Sequence, residues 1–291
     1  MTETRAVLVT GASSGLGLET SLHLAKGGFR VFAAMRDVGR AARLHEEAER
    51  LGVSIATLQL DVTDRPSIDR AVSDVLEQCG TLYGLVNNAG VHVRGYFEDV
   101  SDAELRRVFD VNVFGTMAVT GAVLPHMRRA GRGRIVIVGS MGGRIGAPAL
   151  SAYCSSKFAL EGFGEALALE AKLVGVDVVL VAPAIVKTDI WARSDAVASD
   201  SSSPDSPYRK WFQDQEKLTA RLVANAPTKP SDVARVILAA LTAKEPRLRC
   251  VVGHRAKALL ALRSLLPGEI FNRIYLRAFD HLLGRELVSR T

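Results

Sequence analysis

Cysteine, metal-binding patterns and long apolar runs are scarce in this 291-residue sequence. The three cysteines, Cys79, Cys154 and Cys250, are widely spaced, which is typical of a reducing compartment and unlike a disulfide framework. The six histidines include no pair four residues apart and no cysteine partner, so we expect no metal site. No apolar leader precedes the first strand-like segment, and no run of 18 apolar residues occurs. These absences predict a cytoplasmic protein.

Charge is unevenly distributed along the chain. The net charge is +6, and residues 244–291 hold ten Lys/Arg against four Asp/Glu, which leaves 27 of each sign in residues 1–243. Aromatic residues make up only 6% of the sequence and do not interleave with a basic patch. We therefore expect no nucleic-acid partner. We interpret residues 254–291 as a basic, apolar extension that closes the substrate site, packs on the domain or a partner subunit, or, less favoured, contacts a membrane surface.

Short apolar runs alternate with amphipathic segments through residues 1–253. This alternation predicts a doubly wound parallel sheet with helices on both faces, a three-layer α/β/α arrangement. A hydrophobic content of 48% in 291 residues is enough for one large core. We therefore predict a single α/β domain over residues 1–253.

A glycine-rich turn follows the first predicted strand and precedes an amphipathic helix. Glycine lets backbone amides approach a pyrophosphate closely, and a helix N-terminus provides unpaired N–H groups. A turn with only a structural role remains the alternative. The residues expected to contact a dinucleotide here are Gly11, Ser13, Ser14, Gly15, Leu16 and Gly17.

Arg36 and Asp37 follow the second predicted strand, where a dinucleotide fold contacts the adenosine ribose. A carboxylate there accepts a hydrogen bond from a ribose 2′-hydroxyl, whereas a guanidinium binds a 2′-phosphate. Because Arg36 comes first, we expect NADP(H) to be preferred, with NAD(H) as the alternative.

Two further polar turns follow predicted strands three and four. In the first, Asp61-Val62, the carboxylate of Asp61 could accept a hydrogen bond from the adenine amino group, or it could cap the helix that Pro66 begins. Asn88, Ala89 and Gly90 lie where open parallel sheets bind ligands, so we expect them to contact the cofactor.

Ser140, Tyr153 and Lys157 form the candidate catalytic group. Tyr153 and Lys157 are one turn apart on a predicted helix, so the ammonium can reach the phenol and lower its pKa. Tyr153 could then act as acid or base, and Ser140, after the fifth strand, could hold a carbonyl oxygen. Asn112 lies within an apolar run and is either a structural hydrogen bonder or part of a proton path.

The composition of the chain changes over residues 189–225. We interpret this segment as a substrate lid, although an ordinary surface loop would have the same composition. Its Ser-, Asp- and Pro-rich part is followed by aromatic residues. With neighbouring positions, they could wall a pocket for a bulky apolar substrate. The expected lining residues are Leu150, Ile185, Trp191, Trp211 and Phe212, beside Ser140 and Tyr153.

Taken in order, the glycine turn, Asn87–Gly90, Asn112, Ser140 and Tyr153-x-x-x-Lys157 resemble the short-chain dehydrogenase/reductase family. The resemblance covers about residues 5–253 and implies a Rossmann fold with hydride transfer between a nicotinamide and a carbonyl or alcohol. It implies that Lys157 binds the nicotinamide ribose and that Asn112 extends a proton relay. It adds Pro183, Val186 and Thr188 to the expected cofactor contacts.

The resemblance also implies a homodimer or homotetramer built on the helices within residues 112–130 and 153–173. Residues 153–162 look most like the 17β-hydroxysteroid and retinol dehydrogenase branch. One departure is Pro183-Ala184, where the family usually has Pro-Gly, so a methyl group could crowd the nicotinamide. Reduction of a 3-ketoacyl thioester is the alternative activity, and a dinucleotide-sensing scaffold protein is the alternative without turnover.

Overall fold

Seven parallel strands form one sheet at the centre of the molecule. The computed structural model describes residues 5–188, 191 and 196–283. Across the sheet the strands follow the order β3-β2-β1-β4-β5-β6-β7. Their bounds are β1 (Ala6–Thr10), β2 (Arg30–Met35), β3 (Ile55–Gln59), β4 (Gly84–Asn87), β5 (Gly133–Val138), β6 (Val176–Pro183) and β7 (Arg249–Val252).

Helices connect the strands and cover both faces of the sheet. Within the described residues the long helices are α1 (Gly15–Lys26), α2 (Ala42–Arg50), α3 (Arg65–Cys79), α4 (Asp102–Phe109), α5 (Gly115–Arg129), α6 (Ser151–Lys172), α7 (Arg209–Ala224), α8 (Pro230–Thr242), α9 (His254–Leu265) and α10 (Gly268–Leu282). This arrangement confirms the predicted doubly wound, three-layer fold.

The strands read as continuous apolar runs because both of their faces are buried. Every residue of β1 and of β5 is buried. Alternate side chains point to opposite faces, so Leu8 packs with α3, α5 and α6, while Val7 and Val9 pack with α1, α2 and α8. Two hydrophobic layers therefore hold the helices against one sheet.

The position of β1 between β2 and β4 determines where a ligand can bind. The chain moves outward from β1 to β2 and β3, and then returns to place β4 on the other side of β1. Parallel sheets bind ligands at the carboxyl ends of the strands, where the strand order reverses. Here that crevice lies next to Thr10 and Asn87, the last residues of β1 and β4.

Residues 102–129 form one long helix, interrupted by a π-helical turn over Asp110–Phe114. Among the described helices, it has the length and apolar composition of a membrane span. Its buried side chains, including Val119, Val123 and Met127, pack in the same layer as Leu85 of β4. Packing in the core accounts for its apolar composition.

The predicted lid contains a 3-10 turn at Ser199–Ser202 and helix α7, while residues 189, 190 and 192–195 lie outside the described residues. The C-terminal extension forms α9 and α10, and residues 284–291 also lie outside the described part. Phe271 of α10 is buried, whereas Ile270 and Ile274 are about half exposed, at 47% and 46%. The extension therefore buries only part of its apolar surface against the domain.

Candidate active site

The glycine turn brings the backbone of β1, α1 and β4 into close contact. A Cβ atom on Gly17 would lie 2.3 Å from the carbonyl oxygen of Gly11, and one on Gly11 would lie 2.7 Å from the Cα of Ala89. Gly11 also has a φ of 66°, which favours glycine. No larger residue fits either position without displacing backbone atoms.

The N-terminus of α1 provides the anion-binding part of the turn. Ser14 occupies the N-cap position and makes no side-chain cap hydrogen bond, so it leaves the first N–H groups of the helix to other acceptors. Thr188 lies opposite, 3.4 Å from the position of a Cβ on Gly15. These features fit the pyrophosphate of a dinucleotide, with Ser13, Gly15 and Leu16 in the turn and Thr188 on the facing side.

Asn88 and Thr10 join the ends of β1 and β4. The Asn88 side chain donates to the carbonyl oxygens of Thr10 (2.9 Å) and Gly11 (3.1 Å). The Thr10 hydroxyl accepts from the backbone N–H groups of Asn88 and Ala89, both at 3.0 Å. Asn88, predicted to contact the cofactor, therefore supports the glycine turn through its side chain. Thr10 carries an equal part of this support, and the sequence analysis did not assign it a role.

The adenosine end of the crevice lies at the end of β2. Arg36 and Asp37 are both exposed there. The Asp37 carboxylate accepts from the backbone N–H of Gly39 at 2.9 Å and starts a 3-10 turn, which leaves Arg36 as the cation next to the strand end.

Asp61 does not cap α3. Its carboxylate accepts from the backbone N–H and the hydroxyl of Thr63, at 2.9 and 2.7 Å, whereas Asp64 accepts from the N–H of Ser67 and caps the helix. The sequence left open whether Asp61 caps this helix. The capping residue is Asp64, three residues further along the chain. Val62 is buried against Gly115, where a Cβ would lie 2.7 Å from its side chain.

Ser140, Tyr153 and Lys157 come together at the end of β5. Ser140 follows the strand, its hydroxyl accepts from the N–H of Gly142 at 3.0 Å, and it lies near enough to the phenol of Tyr153 to favour the ionised form. Lys157 Nζ donates to the carbonyl oxygen of Val138 at 3.0 Å and lies 5.7 Å from the centre of the Tyr153 ring. The three predicted catalytic side chains therefore meet in one site, in which Lys157 is buried and Ser140 and Tyr153 are partly buried.

Burial dominates the ionisation of this group. It raises the pKa of Tyr153 to about 12, although the nearby Ser140 hydroxyl acts in the opposite direction. Burial also lowers the pKa of Lys157 to about 8. The expected lowering of the tyrosine pKa by Lys157 is not seen, and the largest effect on the phenol is its loss of solvation. Tyr153 is consequently a neutral phenol at neutral pH, the form that donates a proton.

Asn112 lies in the π-helical turn, and its side-chain amide makes three hydrogen bonds. Its Oδ1 accepts from the N–H of Val91 at 2.8 Å, and its Nδ2 donates to the Val91 carbonyl and to Ser156 Oγ, both at 2.9 Å. Ser156 in turn donates to the carbonyl of Tyr153 at 2.7 Å. The side chain of Asn112 thus positions the loop after β4 against the helix that carries Tyr153. Ser156 shares this role, and the sequence analysis did not single it out.

The predicted substrate residues fall into two places. Trp191 lies near the catalytic group, because its ring centre is 5.3 Å from that of His92, which is 6.0 Å from that of Tyr153. Trp211 instead packs with Tyr96 and Tyr208, at 6.1 and 5.9 Å.

The remaining predicted positions lie on three different elements. Leu150 immediately precedes α6, Ile185 is partly exposed after β6, and Phe212 is buried in α7. Pro183 ends β6, and Val186 is buried next to a bridge with Thr228.

Two polar residues next to the site, His92 and Arg94, were missed by the sequence analysis. Both are buried, at 4% and 7% exposure, and Arg94 pairs with Glu216 of α7. In Val91-His92-Val93-Arg94 the apolar and polar residues alternate, which would place the histidine and arginine on one face of an extended segment. This alternation was the available signal.

A groove of about 740 Å³ lies between α10 and the start of α6. Its α6 wall includes Cys154, Ser155 and Phe158. Ser140, Tyr153 and Lys157 do not line this groove, although Cys154 lies close to Tyr153 beside Gly142. Among the described residues, no cluster of histidine, cysteine or acidic side chains could hold a metal ion.

Comparison with known sequences identifies the family of the chain. A family model described as short chain dehydrogenase matches residues 5–198. Retinol dehydrogenase 8 of Bos taurus is 36% identical over 288 residues, covering 97% of this chain and 91% of the relative. The 17-beta-hydroxysteroid dehydrogenase type 1 of Homo sapiens is 37% identical over 266 residues, covering 88% and 80%.

Solved structures share the architecture. A short-chain dehydrogenase from Streptomyces avermitilis has a TM-score of 0.78 and 30% identity, covering 97% of this chain and 98% of its own. Actinorhodin polyketide ketoreductase, solved with NADPH, has a TM-score of 0.74 and 30% identity, covering 87% and 97%.

The contact at Gly17 generates a prediction about cofactor binding. Gly17→Ala should weaken binding of a nicotinamide dinucleotide by roughly tenfold or more, because overpacking costs about 1–3 kcal/mol and displaces the turn. Gly121→Ala is the matched control, since Gly121 lies in α5 with no atom within 4 Å of its Cβ position. Calorimetric titration of both variants checks this, and equal affinities would contradict the role given to the turn.

Proposed function

The chain belongs to the short chain dehydrogenase family, and from this premise we propose that it transfers hydride between NADP(H) and a bulky apolar ketone or secondary alcohol of steroid-, retinoid- or polycyclic-like shape. Family membership makes it an NAD(P)-dependent oxidoreductase, which excludes the scaffold alternative as its main role. The observation that carries the proposal is the grouping of Ser140, Tyr153 and Lys157 at the end of β5, beside a dinucleotide-binding turn.

The ionisation of the site suits carbonyl reduction. A bound nicotinamide supplies the hydride, and the neutral phenol of Tyr153 donates a proton to the substrate oxygen. The Ser140 hydroxyl holds that oxygen next to the phenol. Lys157, with a pKa of about 8, is mostly charged at neutral pH and favours the phenolate left after proton transfer.

Aromatic and apolar surfaces near Tyr153 support the choice of substrate. His92 packs edge-on to Tyr153, Trp191 packs against His92, and Ile185 follows β6 in the chain. Each buried methylene of a substrate contributes about 0.8 kcal/mol, so a large apolar ligand gains from such walls. Two relatives are named for retinol and for 17β-hydroxysteroids.

Replacing the phenol hydroxyl tests the mechanism. Tyr153→Phe should reduce kcat by at least about 100-fold, since general acid catalysis is worth 10²–10⁴-fold, while the affinity for the dinucleotide changes little. Stopped-flow or steady-state nicotinamide absorbance gives kcat, and calorimetry gives the affinity. Activity close to that of the parent chain would refute the role of Tyr153, and an inactive parent would refute the enzymatic function itself.

The preference for NADP(H) rests on Arg36, the exposed cation next to β2. Charge-assisted hydrogen bonds to a 2′-phosphate contribute roughly 1.5–3 kcal/mol each. Arg36→Ala should therefore raise KM for NADPH by about tenfold or more and leave KM for NADH nearly unchanged. Initial rates with both cofactors measure this, and Arg40→Ala, a substitution in the following 3-10 turn, is the control. Equal changes for the two cofactors would contradict the assignment.

Reduction of a 3-ketoacyl thioester is the second candidate. Arg128 and Arg129 are exposed at the end of α5 and could bind the phosphate of a carrier or coenzyme. We expect kcat/KM for a steroid or polycyclic ketone to exceed that for an acetoacetyl thioester by at least about 100-fold, given the methylene contribution above. A preference for the thioester would reverse the choice between the two.

Oligomerisation through α5 and α6 is part of the same proposal. Phe114, Phe158, Leu169 and Leu173 expose large apolar side chains on and next to these helices, at 46% to 87% exposure. Burying these side chains against a second copy would remove them from water, which supports a homodimer or homotetramer.

We propose a cytoplasmic location. Ile270, Arg273, Ile274 and Arg277 are three or four residues apart on α10, so exposed apolar and basic side chains share one face of the helix. Peripheral membrane contact through this face is the less favoured alternative.

A further inference from the structure

Arg94 connects the catalytic site to helix α7. Its side chain is 9% exposed and forms a forked ion pair with Glu216, with Nε to Oε1 at 2.8 Å and Nη2 to Oε2 at 2.9 Å. The third nitrogen, Nη1, lies 2.8 Å from Nε2 of His92. Bidentate pairing of this kind is both strong and directional. Each of the three guanidinium nitrogens therefore has a partner within the protein.

These contacts determine the protonation of His92. A guanidinium only donates hydrogen bonds, so Nε2 of His92 must accept, and the ring is neutral with its proton on Nδ1. Protonation would place two cations 2.8 Å apart in a buried site. The neutral ring packs edge-on to Tyr153 at an interplanar angle of 73°. Arg94 thus positions the side chain that contacts the catalytic tyrosine.

Backbone contacts extend the same connection to the segment before α7. The N–H of Arg94 donates to the carbonyl of Ala196 at 2.7 Å, and its carbonyl accepts from the N–H of Ala198 at 2.8 Å. On α7, Gln215 donates to the carbonyl of Pro148, in the loop that precedes α6. Glu216 and Gln215 therefore attach α7 to the two loops that flank Tyr153.

We propose that Arg94 is a positioning residue that, through Glu216, holds α7 against the loops on either side of Tyr153 and, through His92, fixes the surroundings of Tyr153. The inference rests on the proposed function and adds how the site accommodates a bulky apolar substrate. A buried arginine near a catalytic group would ordinarily suggest an acidic substrate. Here Glu216 neutralises it, so Arg94 determines the position of α7 and does not bind a substrate carboxylate.

Glu216→Gln tests the connection to α7, because it keeps the side-chain shape and removes the charge. We expect KM for a steroid or polycyclic ketone to rise roughly tenfold or more, as one partner of a largely buried ion pair is lost, while kcat changes by less than about threefold. Arg94→Met should raise KM equally and also lower kcat, because the contact with His92 is lost as well. Lys217→Gln, which alters an exposed charge on the same helix, should behave like the parent chain.

Tryptophan fluorescence provides a readout that does not depend on turnover. The chain has two tryptophans, Trp191 next to His92 and Trp211 on α7, so acrylamide quenching reports directly on this region. Quenching should increase in Glu216→Gln and stay at the parent level in Lys217→Gln. Increased quenching in a chain without turnover would support the role of Arg94 and count against the proposed function.

Removing one charge leaves the other unpaired, which could unfold the chain. The double variant Arg94→Met/Glu216→Gln removes both charges and should match Arg94→Met in KM, kcat and quenching, as expected for two residues that act as a pair. Parent values of KM and quenching in Glu216→Gln, or in the double variant if the single variant does not fold, would overturn the proposal.

Discussion

The joined ends of β1 and β4 are the contact on which the rest of the site depends. Thr10 and Asn88 exchange hydrogen bonds that hold the two strand ends together, and Gly11 and Gly17 allow the backbones to meet there. This contact orients the N-terminus of α1 toward the crevice and starts the loop that carries His92 and Arg94. Cofactor binding and the surroundings of the catalytic tyrosine therefore share one structural origin.

Burial of the catalytic side chains has opposite consequences for the two titrating groups. Loss of solvation disfavours the charged form of each, so it raises the pKa of Tyr153 and lowers that of Lys157. The pKa values of the two groups therefore move apart. At neutral pH the neutral phenol of Tyr153 lies beside the mostly charged amine of Lys157. The protonated phenol can donate to a carbonyl, and the neighbouring ammonium favours the phenolate that this transfer leaves.

Much of the fold and the centre of the site could be predicted from local sequence. Continuous apolar strands such as Ile135–Val138 and helical spacing after Gly15 depend on neighbours only a few residues away, and these short-range patterns indicated the parallel sheet. The pair Tyr153 and Lys157 was predictable for the same reason, since both lie on one helix. The cap of α3 was harder, because Asp61 and Asp64 are both suitable and only hydrogen-bond geometry distinguishes them.

The sequence by itself determined the order of the strands along the chain, the glycine turn and the catalytic spacing, because steric and periodic constraints act locally. Tertiary structure alone decided the pairing of Arg94 with Glu216, which are separated by 122 residues. It also decided the direction of the Tyr153 pKa shift, since that shift depends on how completely the surrounding chain excludes water. Burial and long-range ion pairs arise only when distant segments pack together, and a linear pattern does not contain them.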